Sequence, residues 1–183
     1  MSGKRQLAID VDNTVIDTNQ GWYDYLKYYN GLAKMVKRED GMLPYNLAEI
    51  FPSVQEPMLY WKQLDYFQFE PIEGSVRVLE MLSQYFDIVF LSQQSGTHGR
   101  SKYYWLEEWF PFKKAVVLTH EKFVFNDAVV ALVDDRKEHL KGFDLNKRIL
   151  FDTPYDQSVE CDVNMVINKW SDEVVERICK EYL

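Results

Sequence analysis

Two carboxylates stand two residues apart in Asp10-Val11-Asp12, directly after the apolar run Leu7-Ala8-Ile9, with Asn13 and the hydroxyl of Thr14 following at once. A short apolar run bounded by turn-forming residues fits a buried strand of a parallel sheet. Ligands of open α/β sheets bind outside the carboxyl ends of such strands, so the acid pair is placed for chemistry. The same residue types also make ordinary turns, and a motif this short needs context. That context is repetition. Asp87-Ile88-Val89-Phe90-Leu91 runs into Ser92, and Val129-Val130-Ala131-Leu132-Val133 runs into Asp134-Asp135. In one parallel sheet these ends share an edge, which brings Asp10, Asp12, Ser92, Asp134 and Asp135 toward one site. Separated acid clusters of this kind make an oxygen-ligand site for a hard cation. Mg²⁺ is the expected ion, because it takes carboxylates, waters and substrate phosphates rather than a full protein cage. Crowded carboxylates also repel one another unless a cation sits among them.

The elements that must hold these groups alternate. Strand-like runs at 87–92, 115–118, 129–133 and 148–151 are separated by helical spacing at 75–85 and 101–109, and a helix closes the chain over 171–182 with Ser171 as N-cap. Such alternation predicts a Rossmann-like α/β fold, a parallel sheet with helices on both faces. One stretch breaks the pattern. Residues 17–71 are rich in aromatics and predict helices over 20–36 and near 54–64, with Gly41 and Pro44 marking a break. The expected organisation is therefore a catalytic core of 1–16 and 72–183 with a small helical cap, 17–71, inserted after strand one. Trp22, Tyr25 and Tyr29 recur at helical spacing, which fits packing, although a nucleobase also wants an aromatic platform. Trp105 and Trp109 are expected in the core.

Composition narrows the partners. The 183 residues carry 21 basic and 29 acidic side chains, a net charge of -8. That argues against duplex nucleic acid or an anionic membrane as the main partner, since both call for a basic surface. A small phosphorylated substrate remains open, because a metal and one or two lysines handle its charge locally. Two cysteines, Cys161 and Cys179, make neither a disulfide framework nor a zinc site, and no apolar stretch reaches membrane-spanning length. A cytoplasmic location is expected, and a homodimer stays open.

Asp10-Val11-Asp12-Asn13-Thr14, Ser92 and Val133-Asp134-Asp135 resemble motifs I, II and IV of the haloacid dehalogenase superfamily of phosphatases. Glu70-Pro71-Ile72-Glu73-Gly74, Ser101-Lys102-Tyr103-Tyr104-Trp105, Leu118-Thr119-His120-Glu121-Lys122 and Leu132-Val133-Asp134-Asp135-Arg136 further resemble the 5'(3')-deoxyribonucleotidases. The resemblance implies hydrolysis of nucleoside monophosphates through an aspartyl-phosphate. It makes Asp10 the nucleophile and Asp12 the general acid and then base, with a pKa expected to be raised by burial and a carboxyl neighbour. It implies Mg²⁺ held by Asp10, the Asp12 main-chain carbonyl and Asp134 or Asp135. Ser92 and the amides of Asn13 and Gln93 would contact phosphate. The phosphate-binding lysine it selects is Lys122, with Lys102 as the other candidate. Two features depart from those enzymes: Asn13 stands where they have Gly, and the loop Gln93 to Arg100 lacks their Ser-Pro and lysine, a charge for which His98 and Arg100 are the candidates. The alternatives are a phosphatase of another small phosphoester, such as a sugar phosphate or a nucleic-acid 3'-phosphate, and a non-catalytic nucleotide-binding module.

Overall fold

Six short strands form one all-parallel sheet in the order β3-β2-β1-β4-β5-β6. They are β1 (Gln6–Ile9), β2 (Asp87–Ser92), β3 (Ala115–Leu118), β4 (Val129–Asp134), β5 (Arg148–Phe151) and β6 (Met165–Ile167). The computed structural model describes residues 3–30, 42–93, 98–157 and 159–183. Within them the helices are α1 (Thr18–Asn30), α2 (Leu59–Gln63), α3 (Ser75–Ser83), α4 (Gly99–Trp109), α5 (Lys137–Leu140) and α6 (Asp172–Tyr182).

Side chains alternate across each strand, so the two faces of the sheet collect different residues. Leu7, Ile9, Ile88, Phe90, Ala131 and Val133 face one side with α3, α4 and α6, while Ala8, Leu91, Leu132 and Leu150 face α5 and Phe143 on the other. Right-handed crossovers explain the split. Passing outward from β1 to β2 and β3 puts α3 and α4 on one face, and passing from β4 to β5 puts α5 on the opposite one. Helices thus lie on both faces, but unevenly, since α5 has only four residues.

The segment between β1 and α3 holds α1, a 3-10 turn at Leu47–Ile50, α2 and a second 3-10 turn at Tyr66–Gln68. Its Trp22, Leu26, Leu47, Phe51, Tyr60 and Tyr66 are buried in one continuous cluster with the first face of the sheet. Here one of the two expected helices shortens. The first begins at Thr18 and is described to Asn30, the rest of the expected span falling outside the described residues. The second covers only Leu59–Gln63, because Pro57 disfavours helical backbone at the residue before it and delays the start. Gly74 ends the segment at φ 81, and a Cβ there would lie 2.4 Å from the Trp170 carbonyl oxygen, so the turn into α3 requires glycine. Ser171 has the extended N-cap backbone but no side-chain capping bond; Asp172 and Glu173 supply the acidic first turn of α6.

Candidate active site

The order of the sheet reverses direction between β1 and β4, and that switch point is where the acids meet. The Asp10 amide donates to the Val133 carbonyl at 2.8 Å, extending the pairing one residue past β1 and fixing Asp10 in the crevice. The chain then turns sharply, with the Val15 amide on the Val11 carbonyl (3.0 Å) and the Asn13 amide on the Ile16 carbonyl (2.6 Å). Asn13 adopts φ 58, a left-handed conformation that Gly and, next, Asn take most readily. This accounts for the departure from glycine at that position. The Asn13 side-chain oxygen accepts from the Asn19 amide (2.9 Å) and the Thr18 hydroxyl (3.3 Å). On the far side, the Trp170 indole donates to the Thr14 carbonyl at 2.8 Å and braces the turn.

Lys122 rises from a 3-10 turn between β3 and β4 into the acid cluster, and its side chain is almost fully buried. Its ammonium lies 2.5 Å from Asp10 Oδ1 and 2.7 Å from Asp134 Oδ2. His139 Nδ1 is 3.0 and 3.1 Å from the two Asp134 oxygens. Burial alone would raise the Asp134 pKa, but Lys122 and His139 hold it well below the carboxylate range. Burial pushes Asp10 up to about 6, helped by Asp134 and Asp12 and opposed by Lys122. Asp135 is raised well above its ordinary value by burial and by Asp10 and Asp134.

Oxygens of Asp10, Asp134 and Asp135 all lie within 4.8 Å of one another, and Asp135 Oδ2 is buried with no hydrogen-bond partner among the described residues. Three carboxylates around one ammonium leave an excess of buried negative charge, and the all-oxygen donor set fits a hard divalent cation such as Mg²⁺.

Asp12 is held separately. Lys102, from the first turn of α4, is fully buried and places its ammonium 2.6 Å from Asp12 Oδ2, 2.9 Å from Ser92 Oγ and 2.9 Å from the Gln93 carbonyl. The Tyr66 hydroxyl donates to Asp12 Oδ1. Burial would raise Asp12, yet the Lys102 charge and the hydrogen bonds from Lys102 and Tyr66 outweigh it and leave the carboxyl below its usual range. This corrects the expectation of a raised pKa, which counted burial and the neighbouring acid without these two donors.

Above these groups opens a cavity of about 300 Å³. Asp10 and Asp12 line its floor, and Trp22, Tyr45, Met58 and Trp61 line its sides. Trp22 and Trp61 meet edge to face at 5.5 Å, and the Trp22 indole donates to the Pro57 carbonyl at 2.8 Å, so this wall is fixed. Arg136 lies 4.6 Å over the Tyr45 ring and pairs with Glu138. Of the aromatics singled out by spacing, Trp22 alone lines the cavity; Tyr25 packs tilted on the exposed Tyr29.

A family model described as 5' nucleotidase, deoxy (pyrimidine), cytosolic type C protein matches residues 4–180. The chain belongs to that family. It is 26% identical over 162 residues to proteins named 5'(3')-deoxyribonucleotidase from Bacillus subtilis strain 168 and from Bacillus phage SPbeta, covering 85% of this chain and 89% of each relative. It is a phosphoric monoester hydrolase. The fold is that of haloacid dehalogenase-like hydrolases. One from Burkholderia xenovorans LB400 superposes with TM-score 0.63 at 15% identity, covering 100% of both chains. Another, the HAD-hydrolase YfnB from Bacillus subtilis, whose structure is described as bound to magnesium, gives TM-score 0.60 at 15% identity over 97% of this chain and 99% of that one.

The structure brings together Asp10, Asp12, Ser92, Gln93, Lys102, Lys122, Asp134 and Asp135, and both lysines reach the site rather than one. His98 is buried with Nδ1 3.1 Å from the Trp61 carbonyl, and Arg100 lies over the Tyr104 ring. Residues 94–97 of that loop fall outside the described residues. Sequence reasoning missed Tyr66, His139 and the Arg136–Tyr45 contact. His139 offered one faint signal, a histidine just beyond the Asp-Asp strand end; the other two offered none.

Proposed function

We propose that this chain hydrolyses nucleoside monophosphates, most readily 5'(3')-deoxyribonucleotides, in a Mg²⁺-dependent reaction through an aspartyl-phosphate on Asp10. The observation that carries this reading is two carboxylates with different partners on one cavity floor. Asp10 lies against Lys122 beside the Asp134–Asp135 cluster, and Asp12 lies against Lys102 and Tyr66. The relatives' names support the substrate class, and the aromatic wall of Trp22 and Trp61 suits a nucleobase. Residues 17–71 then act as the cap and 1–16 with 72–183 as the core.

Asp10, Asp134 or Asp135, and the Asp12 main-chain carbonyl would hold Mg²⁺, which when bound offsets phosphate charge and the repulsion among these acids. Asp10, ionised at neutral pH, attacks phosphorus in line with the ester oxygen. As the new bond forms, the ester P–O bond breaks and its electron pair goes to the leaving oxygen, which takes a proton from Asp12. Asp12 takes that proton from solvent as the phosphate approaches, because the incoming anion draws on Lys102 and adds negative charge nearby, and it returns one to solvent when phosphate leaves. In the second half, Asp12 removes a proton from water as the water oxygen attacks phosphorus. The bond to Asp10 breaks, its carboxylate is restored and inorganic phosphate leaves. Lys102 and Ser92 orient the phosphate, and Lys122 keeps the Asp10 carboxylate aimed.

A phosphate-release panel tests the proposal. With Mg²⁺, deoxyribonucleoside 5'- and 3'-monophosphates should be hydrolysed ahead of ribonucleotides and sugar phosphates, and Asp10→Asn should abolish release. Sugar phosphates turned over well above every nucleotide would overturn the substrate reading.

A further inference from the structure

We propose that Tyr66 is a positioning residue for proton transfer at Asp12, an inference that rests on the acid–base reading of Asp12 just given. The two Asp12 oxygens are not equivalent: Tyr66 donates to Oδ1, and Lys102 lies 2.6 Å from Oδ2. Tyr66 is fully buried, and the same helix that supplies Lys102 braces it. Its amide donates to Ser101 Oγ at 3.4 Å, and its ring meets the edges of His98 at 5.7 Å and Trp105 at 6.4 Å. The Trp105 indole in turn donates to the Phe69 carbonyl at 2.9 Å, tying the segment around Tyr66 to α4.

Against a carboxylate, the phenol can only donate. Oδ1 is therefore held as an acceptor while Asp12 is ionised; Oδ2, held by Lys102, is the oxygen freed when the incoming phosphate draws that ammonium toward itself, and it then carries the transferable proton. When the ester P–O bond breaks with its electron pair going to the leaving oxygen, that proton moves from Oδ2 to the leaving oxygen. Tyr66 holds the carboxyl so that Oδ2 is the oxygen presented.

The test is leaving-group dependence in Tyr66→Phe, which keeps the buried ring. A nucleotide expels an alkoxide that needs a proton, whereas p-nitrophenyl phosphate expels a phenolate that does not. We compare kcat/KM, which reports the steps through loss of the leaving group. It should fall about tenfold on a deoxynucleoside 5'-monophosphate, the size of one hydrogen bond to a charged group, and stay within about twofold on p-nitrophenyl phosphate. The ratio between substrates within one preparation is insensitive to a reduced folded fraction. Equal losses on both substrates, or none on either, would overturn the positioning role. Asp12→Asn separates that failure from failure of the parent reading. Undiminished nucleotide turnover in Asp12→Asn overturns the acid–base assignment itself; a disabled Asp12→Asn beside an unaffected Tyr66→Phe overturns Tyr66 alone.

Discussion

Replacing Lys122 by Met keeps the stem of the side chain and removes the ammonium that separates Asp10 from Asp134. Lys122 is 3% exposed in the wild type, and its ammonium makes contacts of 2.5 and 2.7 Å to those two acids. Removing one member of a buried ion pair costs roughly 3–5 kcal/mol, because the partner charge stays behind uncompensated. For a chain of this size 1 kcal/mol moves the melting temperature by about 2–4 °C, so the metal-free variant should melt about 6–20 °C lower at neutral pH. The pH dependence gives a second handle. Asp10 and Asp135 sit above their ordinary values in the folded protein, so protonating them favours folding, and they do so more once Lys122 is gone. Asp134 is held low in the wild type, contributing stability that is lost as pH falls, and the variant lacks most of that contribution. The Asp10 and Asp135 effect narrows the gap between wild type and variant as pH drops from about 7 to about 4, whereas the Asp134 contribution is lost only at lower pH still. Circular dichroism melts in EDTA across that range measure it. A loss under about 1 kcal/mol at neutral pH, or a gap that widens toward acid, would refute the picture of Lys122 as the charge that holds the cluster together.

Divalent metal should stabilise the protein more at about pH 8 than at about pH 5, because Asp10 and Asp135 must be deprotonated to bind it, and binding should release protons. Thermal shifts with MgCl₂ at the two pH values check this; equal shifts would contradict the acid cluster as the metal site. Asn13→Ala should cost about 1–2 kcal/mol by forcing a β-carbon-bearing residue without a capping side chain into the left-handed region. Asn13→Gly should cost less, since it keeps the backbone and loses only the side-chain hydrogen bonds, and equal losses in urea unfolding would count against this account.

The strands that build the site were legible because burial on both faces leaves no room for polar residues. The runs ending at Ser92 and Asp134 are apolar and buried almost throughout. Their polar ends announce the sheet edge, and a parallel sheet puts those ends together without further information. Short or one-sided elements were harder to read. β6 has three residues with Val166 exposed at the sheet edge, so its apolar run is too short to announce a strand. Tyr66 sits in a 3-10 turn with no hydrophobic period, and its partner Asp12 is 54 residues away. The same distance problem hid the electrostatics. Lys102 lies 90 residues from Asp12, so a local reading of that carboxyl saw only burial and Asp10, both of which push its pKa up. Asn13 was visible as a mismatch with glycine, but its meaning depended on a backbone angle that only the fold supplies.

The most direct test of the central claim is to mix enzyme, Mg²⁺ and a deoxynucleoside monophosphate, quench with acid within a single turnover and map any phosphoryl adduct by peptide mass spectrometry. An acyl-phosphate should form on Asp10 and decay at rates consistent with phosphate release, and it should persist longer in Asp12→Asn. Robust turnover with no adduct at Asp10, or an adduct on another residue, would contradict that claim.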